Sequence, residues 1–405
     1  MGRRCRPAAH LGSYVIDDYN VIGQNILDGH GFSYHQGETI PTVTRAPFYP
    51  LWWAAELTIF GRNFLPLRMG EGFVDAVTAA LVVFMAAALC RLPLSRAPPS
   101  TANGDTATKD RRALVIATLA GAVYALQPFS IYYAAKMGTE TWFTFWLVLF
   151  VWAFVAWLLA PSYRGGAVLG AVAGILLLNK STAIVLLIVL AVVGVIMLRG
   201  RRTLACLSLV LCFVVAGLII TPWMVRDYRV SGGHFVAIQT LTWWNFWADF
   251  DFSASGYTNT IDSHYGPGGG FPYPLSAEAD VRQEARLQHQ ALQWMSAHPL
   301  AMLKKMGGNL LEFWYLVEGV RRAQITAAAM ALELVLAIIG GWLAWRERRR
   351  LLVLLAAGVI LYFDVVYTPI KSVFHYSLVV VPFLCLLQAF LLAWIYSRVI
   401  GRRAS

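Results

Sequence analysis

An all-α, polytopic bundle embedded in a membrane is the fold class this sequence predicts, and three observations predict it. The 405 residues are 58% hydrophobic and only 14% charged, where an ordinary soluble domain is about 25% charged. The apolar residues gather into runs long enough to cross a hydrocarbon core, for which ~20 residues are needed. The basic residues stand between those runs rather than along one polar face, so the net charge of +11 reads as topology signals and phosphate contacts, with no nucleic-acid partner expected.

Apolar runs lie near 66–91, 113–135, 141–160, 166–179, 181–198, 203–222, 327–345, 351–369 and 376–396, about nine transmembrane helices. Strict alternation puts five basic groups on one cytoplasmic side. These are Arg91, Arg96, Lys109, Arg111 and Arg112; Arg164; Arg199, Arg201 and Arg202; Arg346 with Arg348 to Arg350; and Arg398, Arg402 and Arg403. Segment 166–198 decides the count. As one helix it would send Arg199 to Arg202 outward, whereas a break at Asn179-Lys180 keeps the pattern.

Four regions follow. Residues 1–65 form an extracytoplasmic first loop with juxtamembrane helices, and 66–222 a transmembrane bundle. Residues 223–325 form a large, partly helical extracytoplasmic loop, and 326–405 a second bundle with a cytoplasmic tail. In the first loop a helix is expected from Tyr19 to Asp28, capped by Asp18 and stopped by Gly29 and Gly31. Pro47 and Pro50 introduce a short helix, Leu51 to Phe60. In the large loop, Gly266 to Pro274 opposes regular structure, and Ala277 to Leu316 repeats at helical spacing with a break at Pro299. Residues 92–110 read as a flexible linker. The five cysteines show no paired short spacing, so neither a disulfide framework nor a metal cluster is expected; no cofactor is indicated and a divalent metal stays open.

Candidate functional residues all fall on the side opposite the basic loops. Asp17 and Asp18 are adjacent carboxylates, one more than a helix cap requires. Arg45 precedes Pro47-Phe48-Tyr49-Pro50, as an anchor beside an interfacial helix or as a ligand. Thr139-Glu140 begins a span, where a carboxylate also suits a helix N-terminus. Lys136 reads as solvated. Lys180 stands at the helix break, Trp223 and Arg226 at the outer end of a span, and Lys371 with His375-Tyr376 in the last outer turn. Carboxylates with several cations at a membrane boundary suit an anionic, lipid-linked substrate. Trp243, Trp244, Phe246, Trp247, Phe250 and Phe252 fit either a membrane-resting loop or a sugar-stacking surface.

These motifs resemble a family. Asp17-Asp18-Tyr19, then Asn25-Ile26-Leu27-Asp28-Gly29-His30-Gly31-Phe32-Ser33, then Arg45-Ala46-Pro47-Phe48-Tyr49-Pro50-Leu51 is similar to the first outer loop of GT-C membrane glycosyltransferases. Within that class the nearest likeness is to protein O-mannosyltransferases and lipid A aminoarabinose transferases. Thr139-Glu140 resembles the second outer acidic motif, and Pro222-Trp223 with Arg226 the Pro-Trp-x-x-Arg segment. His375-Tyr376 falls where many relatives have Arg-Tyr, and their acid lies nearer Val15 than Asp17 or Asp18.

The resemblance implies transfer of a sugar from a polyprenyl-phosphate donor to a lipid, glycan or protein acceptor, outside the cell (inner) membrane. With it, Asp17, Asp18 and Glu140 become catalytic candidates, and Arg45, Lys180 and Arg226, then Lys371 and His375, all on the same outer side, are expected to contact the donor phosphate. It also implies substrate contacts from Tyr19, Tyr49, Trp223 and Tyr376. A transporter is the rival reading, although Asp75, Glu333 and Asp364, in or near spans, have no evident partner in the sequence. A non-catalytic lipid-binding subunit is the third. An odd number of spans puts residue 1 outside although Arg3, Arg4 and Arg6 look cytoplasmic, so a further span is expected upstream of Met1.

Overall fold

A computed structural model of the chain describes residues 19–91, 103–248, 276–317 and 319–401, and among them every regular element is helical. The first outer segment supplies α1 (Tyr19–Leu27) and α2 (Phe48–Phe60). Gly29 and Gly31 follow α1 with φ of 81° and 79°, the left-handed conformation that stops a helix cheaply only at glycine. Then come α3 (Phe64–Arg91), α4 (Asn103–Ala125), α5 (Pro128–Ala135), α6 (Thr139–Leu159), α7 (Tyr163–Asn179), α8 (Ile184–Met197) and α9 (Arg202–Val230). The second outer segment carries α10 (Thr242–Ala248), α11 (Ala277–Ala297) and α12 (Pro299–Tyr315), with Pro299 restarting the helix as expected. The chain closes with α13 (Val320–Arg346), α14 (Arg350–Tyr367) and α15 (Val381–Gly401). Gly266 to Pro274 lies outside the described residues.

Among the described residues six helices are long and apolar enough to cross a membrane: α3, α6, α9 with its lead-in turn at Arg199, α13, α14, and α15 with the turn Phe374–Val380. A seventh crossing is available from α4 and α5, bent by 47° where Pro128 opens α5 and Gln127 caps it. The helices α7 and α8 are apolar but shorter than a full crossing. Of the nine spans expected from the sequence, six, or seven with the bent pair, are long enough to cross, and the two expected as short spans on either side of Asn179-Lys180 are α7 and α8. The linker expected over 92–110 is also shorter, because α4 already begins at Asn103.

The break at Asn179-Lys180 falls where expected, and packing explains its consequence. A Cβ on Gly166 would strike Ser208, and one on Gly170 would strike Cys212. Both numbers rise together, so α7 and α9 run parallel with backbones in close approach, the contact that small residues permit between membrane helices. Parallel neighbours require α8 to return between them. Along α8, Ile184, Ile188, Val192 and Ile196 form an exposed apolar stripe at four-residue spacing. Such a continuous apolar exterior suits lipid rather than water.

Contacts also sort the two ends of the bundle. Arg112 pairs with Glu347, and Arg349 donates to the carbonyl of Cys90, so the basic loops after α3 and α13 meet at one end. The turns before α6, after α7, after α14 and before α15 gather at the other. Asp75, Glu333 and Asp364 do have partners, contrary to the sequence reading. Tyr124 Oη donates to Asp75 at 2.7 Å, Gln127 Nε2 to Glu333 at 2.6 Å, and Trp314 Nε1 to Asp364 at 3.1 Å. These partners lie 49, 206 and 50 residues away in sequence, which hides them from any local pattern.

Candidate functional site

The site is built where four chain breaks meet at the end away from the basic loops. Gly138, extended at φ −105°, starts α6, so Glu140 stands in its first turn and faces inward with 2% of its surface exposed. The end of α7 delivers Lys180, whose extended backbone separates two helices. Lys180 Nζ donates to Glu140 Oε1 at 2.6 Å, and this ion pair is largely removed from solvent. Burying such a pair has a desolvation cost that a hydrophobic pair would avoid, so its presence calls for a use beyond packing.

Aromatic rings wall the pair. Lys180 Nζ lies 5.8 Å from the centroid of Phe143 and 5.3 Å from that of Tyr376. Tyr376 stacks on Tyr367 with centroids 4.4 Å apart. Tyr19 of α1 lies within the electrostatic reach of Lys180 and packs edge-on against Tyr49 of α2 at 5.4 Å. The guanidinium of Arg45 lies over Tyr19 at 5.1 Å and over Tyr34 at 6.0 Å. The structure thus joins Tyr19, Arg45, Tyr49, Glu140, Lys180 and Tyr376 into one neighbourhood, all six named from the sequence.

Two further carboxylates belong to this neighbourhood and the sequence reading missed them. Glu56 of α2 and Glu71 of α3 are 4% and 2% exposed. Tyr49 and Glu71 lie within side-chain interaction of each other, while Glu56 Oε2 has no hydrogen-bond partner among the described residues. Burial, and then the nearby Glu71 charge, push the Tyr49 phenol well above its usual range, and burial pushes Glu56 up to about 7. The Glu56 carboxylate rests on Gly70, at a place any side chain would fill. An ionisable residue inside an apolar run was the available signal for Glu71.

Other predicted residues lie elsewhere. Arg226 donates to the carbonyl of Thr42 at 2.6 Å and of Phe32 at 3.3 Å, and pairs with Asp227 at 2.8 Å. It sits over the rings of Phe32 and Trp223, and Trp223 Nε1 donates to the carbonyl of Ile238 at 3.0 Å. Asp280 of α11 grips the same loop, accepting from Thr42 Oγ1 at 3.1 Å and from the Val43 amide at 3.3 Å. Burial raises Asp280 to about 7 despite those bonds. Arg226 and Trp223 therefore act in this structure as a clamp on the first outer loop.

Lys371 follows α14, its amide bonded to the Tyr367 carbonyl. His375 packs against Tyr376 and Tyr133 and lines a separate groove. Of the aromatic run, Trp247 Nε1 donates to the Leu287 carbonyl, the Trp243 amide donates to Glu284, and Phe246 is buried. These three hold α10 onto α11. Asp17, Asp18, Phe250 and Phe252 lie outside the described residues. Among the described residues no group of three or more His, Cys, Asp or Glu side chains is placed to hold a metal ion.

Compared with known protein families, with curated proteins and with solved structures, the chain matches none. Its chemistry is therefore read from its own residues. A buried cation paired to a carboxylate, ringed by tyrosines, can fix an anionic group and accept or orient a proton at adjacent atoms.

Proposed function

We propose that this chain is a membrane glycosyltransferase that moves a sugar from a polyprenyl-phosphate donor to a hydroxyl of a lipid, glycan or protein acceptor. One observation carries the reading. Tyr19, Tyr49, Glu140 and Tyr376, singled out by their likeness to GT-C outer-loop motifs, gather around Lys180, singled out by its place at the helix break. The basic loops occupy the opposite end, which under the positive-inside rule supports an extracytoplasmic site.

The reaction exchanges one bond for another. The acceptor oxygen forms a bond to the anomeric carbon while the bond to the phosphate oxygen breaks, and that oxygen keeps the electron pair. Lys180, with two ammonium hydrogens beyond the one given to Glu140, is placed to stabilise the developing phosphate charge. Arg45 is the second cation of the same neighbourhood. The acceptor proton passes to a carboxylate, for which Asp17, Asp18 and Glu140 are the candidates. A single displacement inverts the anomeric configuration.

Purified protein in vesicles, supplied with a polyprenyl-phosphate-linked sugar and a hydroxyl acceptor, should release free polyprenyl phosphate. Turnover should fall by orders of magnitude in K180Q and E140Q. Normal turnover in both variants would sink the reading. A transporter is the second reading, favoured by the carboxylates Asp75 and Glu333 held between helices. It predicts solute flux across sealed vesicles without release of polyprenyl phosphate.

A further inference from the structure

A second basic groove opens beside the site, on the far side of the His375-Tyr376 turn. Its volume is about 660 Å³, in the size range of ligand pockets. Lys136, Arg322 and His375 line it together with Tyr132, Tyr133 and Phe129, and no carboxylate is among the described residues of its wall. Lys136 comes from the turn between α5 and α6, Arg322 from the first turn of α13, and His375 from the turn before α15.

Lys136 has a local account, standing at the C-terminal end of α5 with its ammonium 5.3 Å from the Tyr132 ring centroid, but Arg322 has none. Arg321 and Arg322 open α13, where the positive end of the helix dipole disfavours cations. They also sit at the end of the bundle opposite Arg346, where the topology rule disfavours Lys and Arg. A bound anion would offset both penalties. The groove is bordered by Ile325 and Tyr132, which are 62% and 52% exposed on a surface otherwise clad in apolar side chains. Cations reachable from solvent beside apolar, lipid-facing side chains suit a molecule that is anionic at one end and aliphatic at the other.

We propose that this groove binds the phosphate headgroup of a membrane lipid, held by Lys136 and Arg322, as a site separate from the Lys180–Glu140 cluster. The phosphate oxygens take the ammonium and guanidinium, the latter in its two-pronged geometry, and the acyl or prenyl chain lies along Ile325. Tyr376 and His375 form the wall between the two sites, with ring centroids 4.5 Å apart. The assignment needs the membrane setting but not glycosyl transfer, so it stands or falls independently of turnover.

The test is binding of dodecyl phosphate to the purified full chain in a neutral maltoside detergent, read by calorimetry. Dodecyl phosphate also suits the Lys180 site, so binding is measured in K180Q/E140Q, which should still bind it; adding K136Q/R322Q should lose at least tenfold in affinity, and K136R/R322K in the same background should recover part of it. The thermal midpoint of K136Q/R322Q should match the native chain, since Arg322 is exposed and Lys136 partly so. Undiminished affinity on adding K136Q/R322Q, or loss of binding in K180Q/E140Q alone, would overturn the proposal. Inorganic phosphate displacing dodecyl phosphate at equal concentration would identify a free-phosphate site and reject the lipid.

Discussion

The Lys180–Glu140 pair and the Arg226–Asp227 pair use the same chemistry at the same end of the bundle, and they spend it differently. Arg226 gives its hydrogen bonds to Asp227 and to two backbone carbonyls of the first outer loop. Lys180 gives one to Glu140 and otherwise meets the rings of Phe143 and Tyr376. Backbone acceptors are permanent, so Arg226 works as a fastener. Aromatic rings leave ammonium hydrogens available to a ligand, so Lys180 can serve a site. Residue type and position in a span do not separate these two roles; the partners do.

The sharpest way to break the contrast is at Lys180. K180M should lower turnover by about 10²–10³, the usual range for removing one fixed donor to developing charge. It should also destabilise the fold, because a buried carboxylate left alone costs about 3–5 kcal/mol. K180M/E140Q removes both charges and should regain most of that stability while turnover stays low. Recovery of turnover in the double variant would show that the pair is structural, like the one at Arg226.

Arg226 should behave in the reverse sense. R226A strands two loop carbonyls and Asp227, and bonds to a charged group are worth about 1.5–3 kcal/mol. The expected result is a lower thermal midpoint and faster proteolysis between Phe32 and Arg45. A drop in turnover with the loop still protected would instead place Arg226 in direct contact with substrate.

Gly170 tests the scaffold beneath both pairs. Gly170→Val drives a side chain into Cys212 and should cost about 1–3 kcal/mol, as overpacking does. Gly217 on α9, with open space around it, should accept Ala with little change in midpoint.

The smallest effect concerns Asp280. Its carboxyl titrates near 7 in the folded chain because it is buried. The folded state therefore holds that proton more tightly than the unfolded chain. The resulting stability is complete below the ordinary carboxylate range and is lost as pH rises through about 7. D280N mimics the protonated form. Its thermal midpoint should equal that of the native chain near pH 4 and exceed it by a few degrees near pH 8, and a constant difference would refute the assignment.

Much of this fold was legible because apolar runs and basic loops are local signals. The break at Asn179-Lys180 could be placed only by asking where Arg199 to Arg202 must go. The start of α4 escaped because Asn103 to Asp110 is polar and follows Pro98-Pro99-Ser100, so nothing local distinguishes its helix from a linker. Glu140 and Lys180 were legible as charged groups at span ends, and Arg45 and Tyr19 as members of the first-loop motifs. The role of Arg226 was not, since Thr42 lies 184 residues away in sequence. Glu56 escaped inside a short helix read as interfacial, and Glu71 inside a run read simply as a span.

The parallel contact between α7 and α9 has a mechanical consequence. Lys180 hangs from the end of one helix and Arg226 from the end of the other, and the two are joined backbone to backbone below them. They form a single two-pronged strut, so the prongs cannot spread without tearing that seam. A substrate reaching Lys180 must then be admitted by parts carried on other supports, the α1–α2 segment or the Phe374–Val380 turn. Freezing the strut by a covalent link between α7 and α9 should leave access intact, whereas tethering α2 to α6 should close it.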